Sequence, residues 1–419
     1  MKVLHINTID FGGAATAAIR LHNALLENDI ESSFLTIKKS ETNIINHIIV
    51  PNHLVKLKLN ETFSLKKYLK IKFDRNYGKY LTEVKRKRII RHLGNITNRG
   101  VISFPNTEFD ELHLLSEISK ADIIHLHWVA DFIDYSTFFK NVTKPIVWTF
   151  HDENAFLGIF HYSGDKVSNK ENELKKIDEE VYLLKKNTLK DFKNLHVVTP
   201  SKWLGSLAAN SEIFNNFNVS IIPYSLNLNV FKIQNKEFAR EVFNLPTNKK
   251  IALFVAESVT NERKGFDLLS GAFEKIVDKE DLLLVAIGNV SATNKQENVK
   301  YLGSINDERL MALAYAAADV FILPSREDNL PNTMLESLSC GTPIIGFPIG
   351  GIKETIENGF NGYLCPELSI DGLYETIEKF FQNISSFNSD KISKAAHDKF
   401  NNKKQASSYI TIYKKLIPN

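Results

Sequence analysis

Apolar positions along this chain come in short runs, and longer helical patterns separate them. KVLHINTI (2–9) is a run of strand length. DFGGAATAAIRLHNALLEN (10–28) is a glycine turn followed by a helix-spaced pattern, and ESSFLTIKK (31–39) returns to strand character. This strand–turn–helix–strand order predicts a parallel sheet. The same rhythm recurs at 121–129, 144–152 and 195–208. A turn-rich passage, VSIIPYSLNLNVF (219–231), resets it, and five further runs follow at 250–257, 282–288, 298–303, 318–325 and 342–347. Two successive doubly wound α/β domains with a cleft between them are expected. Their ligands are expected beyond the carboxyl ends of the strands. In the last segment, Tyr409, Ile412, Tyr413 and Leu416 share one helical face, which predicts an amphipathic terminal helix.

The 419 residues exceed one ordinary core, in keeping with two domains. A hydrophobic content of 43% and a charged content of 24% are those of a soluble globular chain. No run of about 18 apolar residues predicts a transmembrane span. MKVLHINTID lacks the long apolar region of a signal peptide. Cys340 and Cys365 are the only cysteines, too few for a disulfide framework or a zinc site. A reduced, cytosolic setting is expected. Net charge is +3, yet residues 56–91 hold 13 Lys/Arg and 3 Asp/Glu, a local +10 that leaves −7 elsewhere. Such a patch, interleaved with Phe63, Leu65, Tyr68, Leu69, Phe73, Tyr77 and Tyr80, suits an anionic membrane surface better than nucleic acid. A solvated helical insertion is the plain alternative.

The densest chemistry lies in SREDNLPNTMLESLSCGTPII (325–345). Asp328 and Glu336 stand eight positions apart on either side of a predicted helix start. Asn332 or Thr333 is the expected cap, and Gly341 the expected stop. Free N–H groups at a helix start attract an anion, and a carboxylate on each side can accept hydrogen bonds from hydroxyls. A phosphate between two polyols describes a nucleotide sugar. A helix with an ordinary acidic surface is the bland reading. In ALFVAESVTNERKGFDLL (252–269), Arg263 and Lys264 follow a strand. In DFGGAATA, Gly12 and Gly13 permit close backbone approach, although the spacing is not a dinucleotide fingerprint. VWTFHDENAF ends a strand with His151 and Asp152, and HLHW ends the preceding one with His125 and His127.

The string from Ser325 to Leu364 resembles the donor-site signature of retaining GT-B glycosyltransferases of family 4, a Glu and a second Glu separated by seven residues. Asp328 takes the first position and Glu336 the second. The resemblance covers roughly 1–37 and 121–365, and the opening, HLHW, TFHDENAFLGIFHYSGD and VVTPSKWL are closest to bacterial surface-polysaccharide transferases. It implies two Rossmann-like domains, with boundaries near 1–225 and 226–402, a basic insertion at about 53–92, and a terminal helix, 403–419, that packs back on the first domain. It implies that Asp328 binds the transferred sugar, Glu336 the ribose, Asn332 and Thr333 the diphosphate, and Lys264 the departing charge. His151 matches the family's active-site histidine, Gly12 and Gly13 face the donor phosphate, and His127 and Asp152 lie on the acceptor side. Three departures stand out. The first acid is Asp, with Glu327 beside it. Pro331 lacks an N–H where the family uses glycine. Glu257 occupies the usual arginine position, so Arg263 is inferred as the second cation.

The expected reaction is retaining transfer of a sugar from a nucleoside diphosphate to a hydroxyl of a glycan or lipid-linked glycan in surface polysaccharide synthesis. The resemblance implies no protein nucleophile. No D-x-D occurs in the chain, so no metal or other cofactor is expected. A nucleotide-sugar epimerase or hydrolase on the same scaffold, or a non-catalytic glycan-binding protein, are the alternatives.

Overall fold

The computed structural model describes residues 1–40, 43–51, 101–107, 109–168, 172–276, 281–291 and 295–417. The basic stretch 56–91 lies outside the described residues. The chain builds two parallel sheets. The first contains β1 (Lys2–Ile6), β2 (Glu31–Thr36), β3 (His47–Ile49), β4 (Ile123–Leu126), β5 (Ile146–Thr149), β6 (Leu195–Thr199) and β7 (Asn218–Ile221) in the order β3-β2-β1-β4-β5-β6-β7. The second contains β8 (Lys250–Ser258), β9 (Leu282–Asn289), β10 (Val299–Gly303), β11 (Val320–Leu323), β12 (Ile344–Gly346) and β13 (Gly362–Leu364) in the order β10-β9-β8-β11-β12-β13. The long apolar runs are the central strands, buried on both faces as helix-covered parallel strands must be.

Two results differ from the sequence reading. The passage at 219–231 is not wholly turn, because Asn218–Ile221 adds a half-exposed strand beside β6. Strands β3 and β13, three residues each, also escaped prediction. A three-residue edge strand is too short to show a period of two, and its solvent side removes the apolar signal.

Strand order reverses between β1 and β4 and again between β8 and β11. Crossovers on the two sides of such a point run to opposite faces of the sheet, so the loops after these strands diverge and leave a crevice. Gly12, Gly13, His127, Arg263, Lys264 and Asp328 all lie in or just after those loops.

The terminal helix Asn402–Leu416 lies on the first sheet. Ala406, Tyr409, Ile412 and Tyr413 pack with Val3, Leu21, Leu25, Ile123, Val147 and Val198. Tyr413 and Tyr409 also bond His125 and Thr149, at 2.7 and 2.9 Å. The apolar stripe at spacings of three and four therefore meets a face of the first domain.

Candidate active site

The helix Asn332–Ser339 supplies the floor of the second-domain half. Pro331, not Asn332 or Thr333, is its N-cap, and no side chain caps it. The sequence expectation fails here because the Asn332 amide is used elsewhere. It crosses the cleft and donates to the Gly13 carbonyl at 2.9 Å. The proline ring fixes an extended φ of −61° at the cap, which starts the helix without a side-chain bond. Gly341 follows the last turn with φ 80°, as expected of a helix stop. Thr333 is half-buried in the first turn.

Asp328 and Glu336 are both nearly buried, at 9% and 7% exposure. Lys264 donates to Asp328 Oδ2 at 2.6 Å. Burial alone pushes the Asp328 pKa up, but Lys264 and Arg263 outweigh it, and the carboxyl sits below the ordinary aspartate value. Glu327 points the other way and accepts the Gly164 N–H of the first domain at 2.9 Å. Its pKa is raised, first by burial and then by Asp165. Of the two adjacent acids, Asp328 is the one beside the lysine.

Arg263 donates to the Glu327 carbonyl at 3.0 Å, and its guanidinium lies 4.7 Å from the Tyr162 ring centre. The stretch after β8 delivers both cations through a tight turn. Gly265 takes φ 70°, and a Cβ there would meet the Pro324 carbonyl at 1.9 Å, so only glycine fits beside β11. Glu257 is exposed within β8. On the facing domain, Gly12 has φ 85° and nothing within 4 Å of where a Cβ would stand, so the loop surface is open. Gly13 is exposed.

His151 lies two residues past the end of β5, and both its ring nitrogens are engaged. Nδ1 lies 2.6 Å from the Tyr224 hydroxyl and Nε2 lies 3.2 Å from His127 Nδ1. His127 continues to His5 at 2.9 Å. His125 bonds Tyr413 and Thr149. Burial lowers the His151 pKa to about 4, and burial with neighbouring imidazoles holds His5 and His127 well below the usual histidine value. This is a neutral relay. His5, His125 and His127 bring nitrogens within 4.8 Å of one another, the spacing of a metal site. Five of their six nitrogens are already hydrogen-bonded, and only His5 Nε2 lacks a partner. Asp152 accepts from Trp128 Nε1, His161 Nδ1 and the Asn154 N–H at 3.0, 2.6 and 3.0 Å. It thus holds His161 and Trp128 in place rather than His151. Lys185, buried under the same loop, donates to the Asn154 and Gly158 carbonyls at 2.6 and 2.7 Å.

The structure brings His151 and Asp328 to the same cleft through Asn329, whose amide donates to the His151 carbonyl at 3.2 Å and accepts from Ser201 at 2.6 Å. Sequence reasoning missed Arg20, Tyr224, Tyr315 and Ser201. Arg20 alone left a signal, a charge on the buried face of AAIRLHNALL.

Two doubly wound domains facing across a cleft, with cations and acids gathered at the switch point of the second, define a GT-B fold. Over residues 235–398 the chain matches the family model described as glycosyl transferases group 1. It is 26% identical over 267 residues to an uncharacterized glycosyltransferase of Methanocaldococcus jannaschii, covering 58% of this chain and 62% of that one. The chain thus spans about three fifths of that curated relative's length. Its fold is similar to that of sucrose-phosphate synthase from Thermosynechococcus elongatus (TM-score 0.69, 16% identity, 99% of each chain). It is also similar to Anabaena HepE in complex with UDP and glucose (TM-score 0.67, 13% identity, 98% of this chain and 99% of that one).

Proposed function

We propose that this protein is a retaining glycosyltransferase that moves a sugar from a nucleoside diphosphate to a hydroxyl of a glycan or lipid-linked glycan, without a metal ion. The observation that carries the reading is the order of groups on one wall of the cleft. Asp328 and its lysine come first, then the open start of helix Asn332–Ser339, then Glu336 one turn in. The UDP and glucose bound to HepE favour a nucleotide sugar as the donor.

In this reading the diphosphate lies between the helix start and the Gly12–Gly13 loop. Lys264 and Arg263 stabilise the charge that grows on the leaving oxygen, the place where preorganised cations lower a barrier most. Asp328 accepts hydrogen bonds from the transferred sugar, and Glu336 from the ribose. Sugar hydroxyls replace Lys264 on Asp328 as Lys264 turns to phosphate. The departing phosphate oxygen takes the acceptor proton on the same face, so no protein nucleophile is needed. His151, neutral and held through both nitrogens, shapes the sugar side as a fixed dipole and does not shuttle protons at neutral pH. The acceptor enters past His127 and Asp152.

Two cations and a helix N-terminus supply the charge a metal clamp would otherwise provide. A transfer assay with UDP, GDP and ADP sugars is therefore expected to keep its rate in excess EDTA. Activity lost to chelator and restored by manganese overturns the metal-free part of the proposal.

The basic stretch 56–91 is proposed to hold the enzyme at the cytoplasmic face of a membrane, where a lipid-linked acceptor is confined. Among the described residues, no helix is long and apolar enough to cross a membrane. Each basic residue near an anionic surface contributes about 1 kcal/mol. The protein is expected to co-sediment with anionic vesicles at low salt and to be released at high salt. Pelleting with neutral vesicles that salt does not change reduces the stretch to a solvated insertion.

A further inference from the structure

One buried cation has no part in the chemistry above. Arg20 lies two turns into the helix Gly13–Leu26. Its side chain, 8% exposed, leaves the first domain and enters the second. Nη2 donates to Glu336 Oε1 at 2.7 Å and to Glu308 Oε1 at 2.7 Å. Nε donates to Glu308 Oε1 at 3.0 Å, and Nη1 reaches Asn332 Oδ1 at 3.4 Å. The guanidinium also lies 5.2 Å from the Phe231 ring centre. From the opposite side the Tyr315 hydroxyl donates to Glu336 Oε2 at 2.9 Å.

We infer that Arg20 is a positioning residue for the nucleotide: it fixes the Glu336 carboxylate from across the cleft, so the ribose subsite is complete only when the two domains are together. The inference rests on the reading of Glu336 as the ribose acid.

Three features of the geometry support it. A carboxylate offers about four acceptor directions. Arg20 and Tyr315 occupy one on each oxygen, which locks the group's rotation and leaves the others for two hydroxyl donors. One guanidinium serves two acids, so the cluster keeps a net negative charge and remains an acceptor for hydroxyls. The planar fork also sets a direction that an ammonium does not. Arg20 and Glu336 belong to different domains, and the Asn332–Gly13 bond joins the same two elements at their helix starts. Ribose recognition and closure of the cleft thereby share one contact.

The test compares wild type, Arg20→Ala, Arg20→Lys and Glu336→Gln by calorimetry. Each is titrated with UDP, GDP and ADP and with the 2′,3′-dideoxy form of whichever binds. Wild type is expected to prefer the ribose form by about tenfold or more, the value of a charged hydrogen bond. Arg20→Ala and Glu336→Gln are both expected to lose most of that preference, a change that a general loss of stability does not produce. Arg20→Lys is expected to retain only part of it, and decides the matter if Arg20→Ala does not fold. An intact preference in the Arg20 variants, or tighter binding, overturns the inference. If Glu336→Gln still loses the preference in that case, the ribose reading survives. A wild type without preference, or an unaffected Glu336→Gln, removes the ribose reading and the inference together.

Discussion

Mild acid is expected to unfold this protein through its own histidines. Five of them, His5, His22, His125, His127 and His151, have pKa values held below the usual histidine value, with burial the leading cause in each. For His22 and His151 the value falls to about 4. In the unfolded chain each titrates near about 6.5. Between those limits the unfolded state binds more protons than the folded one, so stability rises with pH and is lost as pH falls from about 6.5 toward about 4. Each such histidine removes up to about 1.4 kcal/mol per pH unit in that window. Five acting together exhaust a typical stability of about 5–15 kcal/mol within about two units. One counter-charge softens this only in part, by raising the His151 value against burial. The carboxylate facing it is Asp152, already taken by His161 and Trp128. Melting temperature measured stepwise through this range is expected to fall steeply, with proton uptake on unfolding approaching five. A flat profile between about pH 7 and pH 5 shows that the imidazoles are not neutral and buried as described.

Asp328→Asn is expected to abolish most of the transfer while leaving nucleoside diphosphate binding nearly intact. The carboxylate faces Lys264 at 2.6 Å and is 9% exposed, so its charge is screened from water and lies on the wall of the proposed donor site. An amide keeps the shape but loses the charged acceptor. It leaves Lys264 in place to pair with phosphate, so nucleoside diphosphate binding is preserved. A contact that strengthens only as charge moves affects turnover rather than binding. Losing one such preorganised charge costs about 100- to 1,000-fold in rate. Lys264→Met is expected to weaken both binding and turnover, because the lysine meets phosphate in both states. The double variant should then cost less than the sum of the two singles, since both remove one pair. Steady-state kinetics with donor binding measured separately distinguishes these cases. An Asp328→Asn enzyme that turns over normally removes Asp328 from the chemistry and leaves Glu327 as the remaining acid there.

The candidate site could be proposed from the sequence because its residues cluster in short contiguous stretches. Arg263, Lys264 and Asp328 sit on short stretches after strands and Glu336 in the helix that follows, so a motif match over contiguous residues could single them out as candidates with no knowledge of packing. Asn332 was misjudged as a cap because capping propensity describes an isolated helix end. Here a carbonyl of another domain competes for the same amide. Asp152 was legible as a polar strand end, but its partners Trp128 and His161 lie 24 and 9 positions away, beyond any local pattern.

The sequence by itself determined two parallel α/β domains, the order of their central strands along the chain, an amphipathic terminal helix, and the residue types at the carboxyl ends of the strands. Periodicity and turn chemistry act over a few residues, and apolar runs register burial directly. Tertiary structure alone decided which distant groups meet. It put Arg20 on Glu336, 316 positions apart, and His5 on His127, 122 apart. It gave both nitrogens of His151 to protein partners and folded the last helix onto the first sheet. Such pairs depend on how distant strands align within a sheet and how the two domains face each other. That depends on the summed surface of many residues, and the spacing around any one of them carries no trace of it.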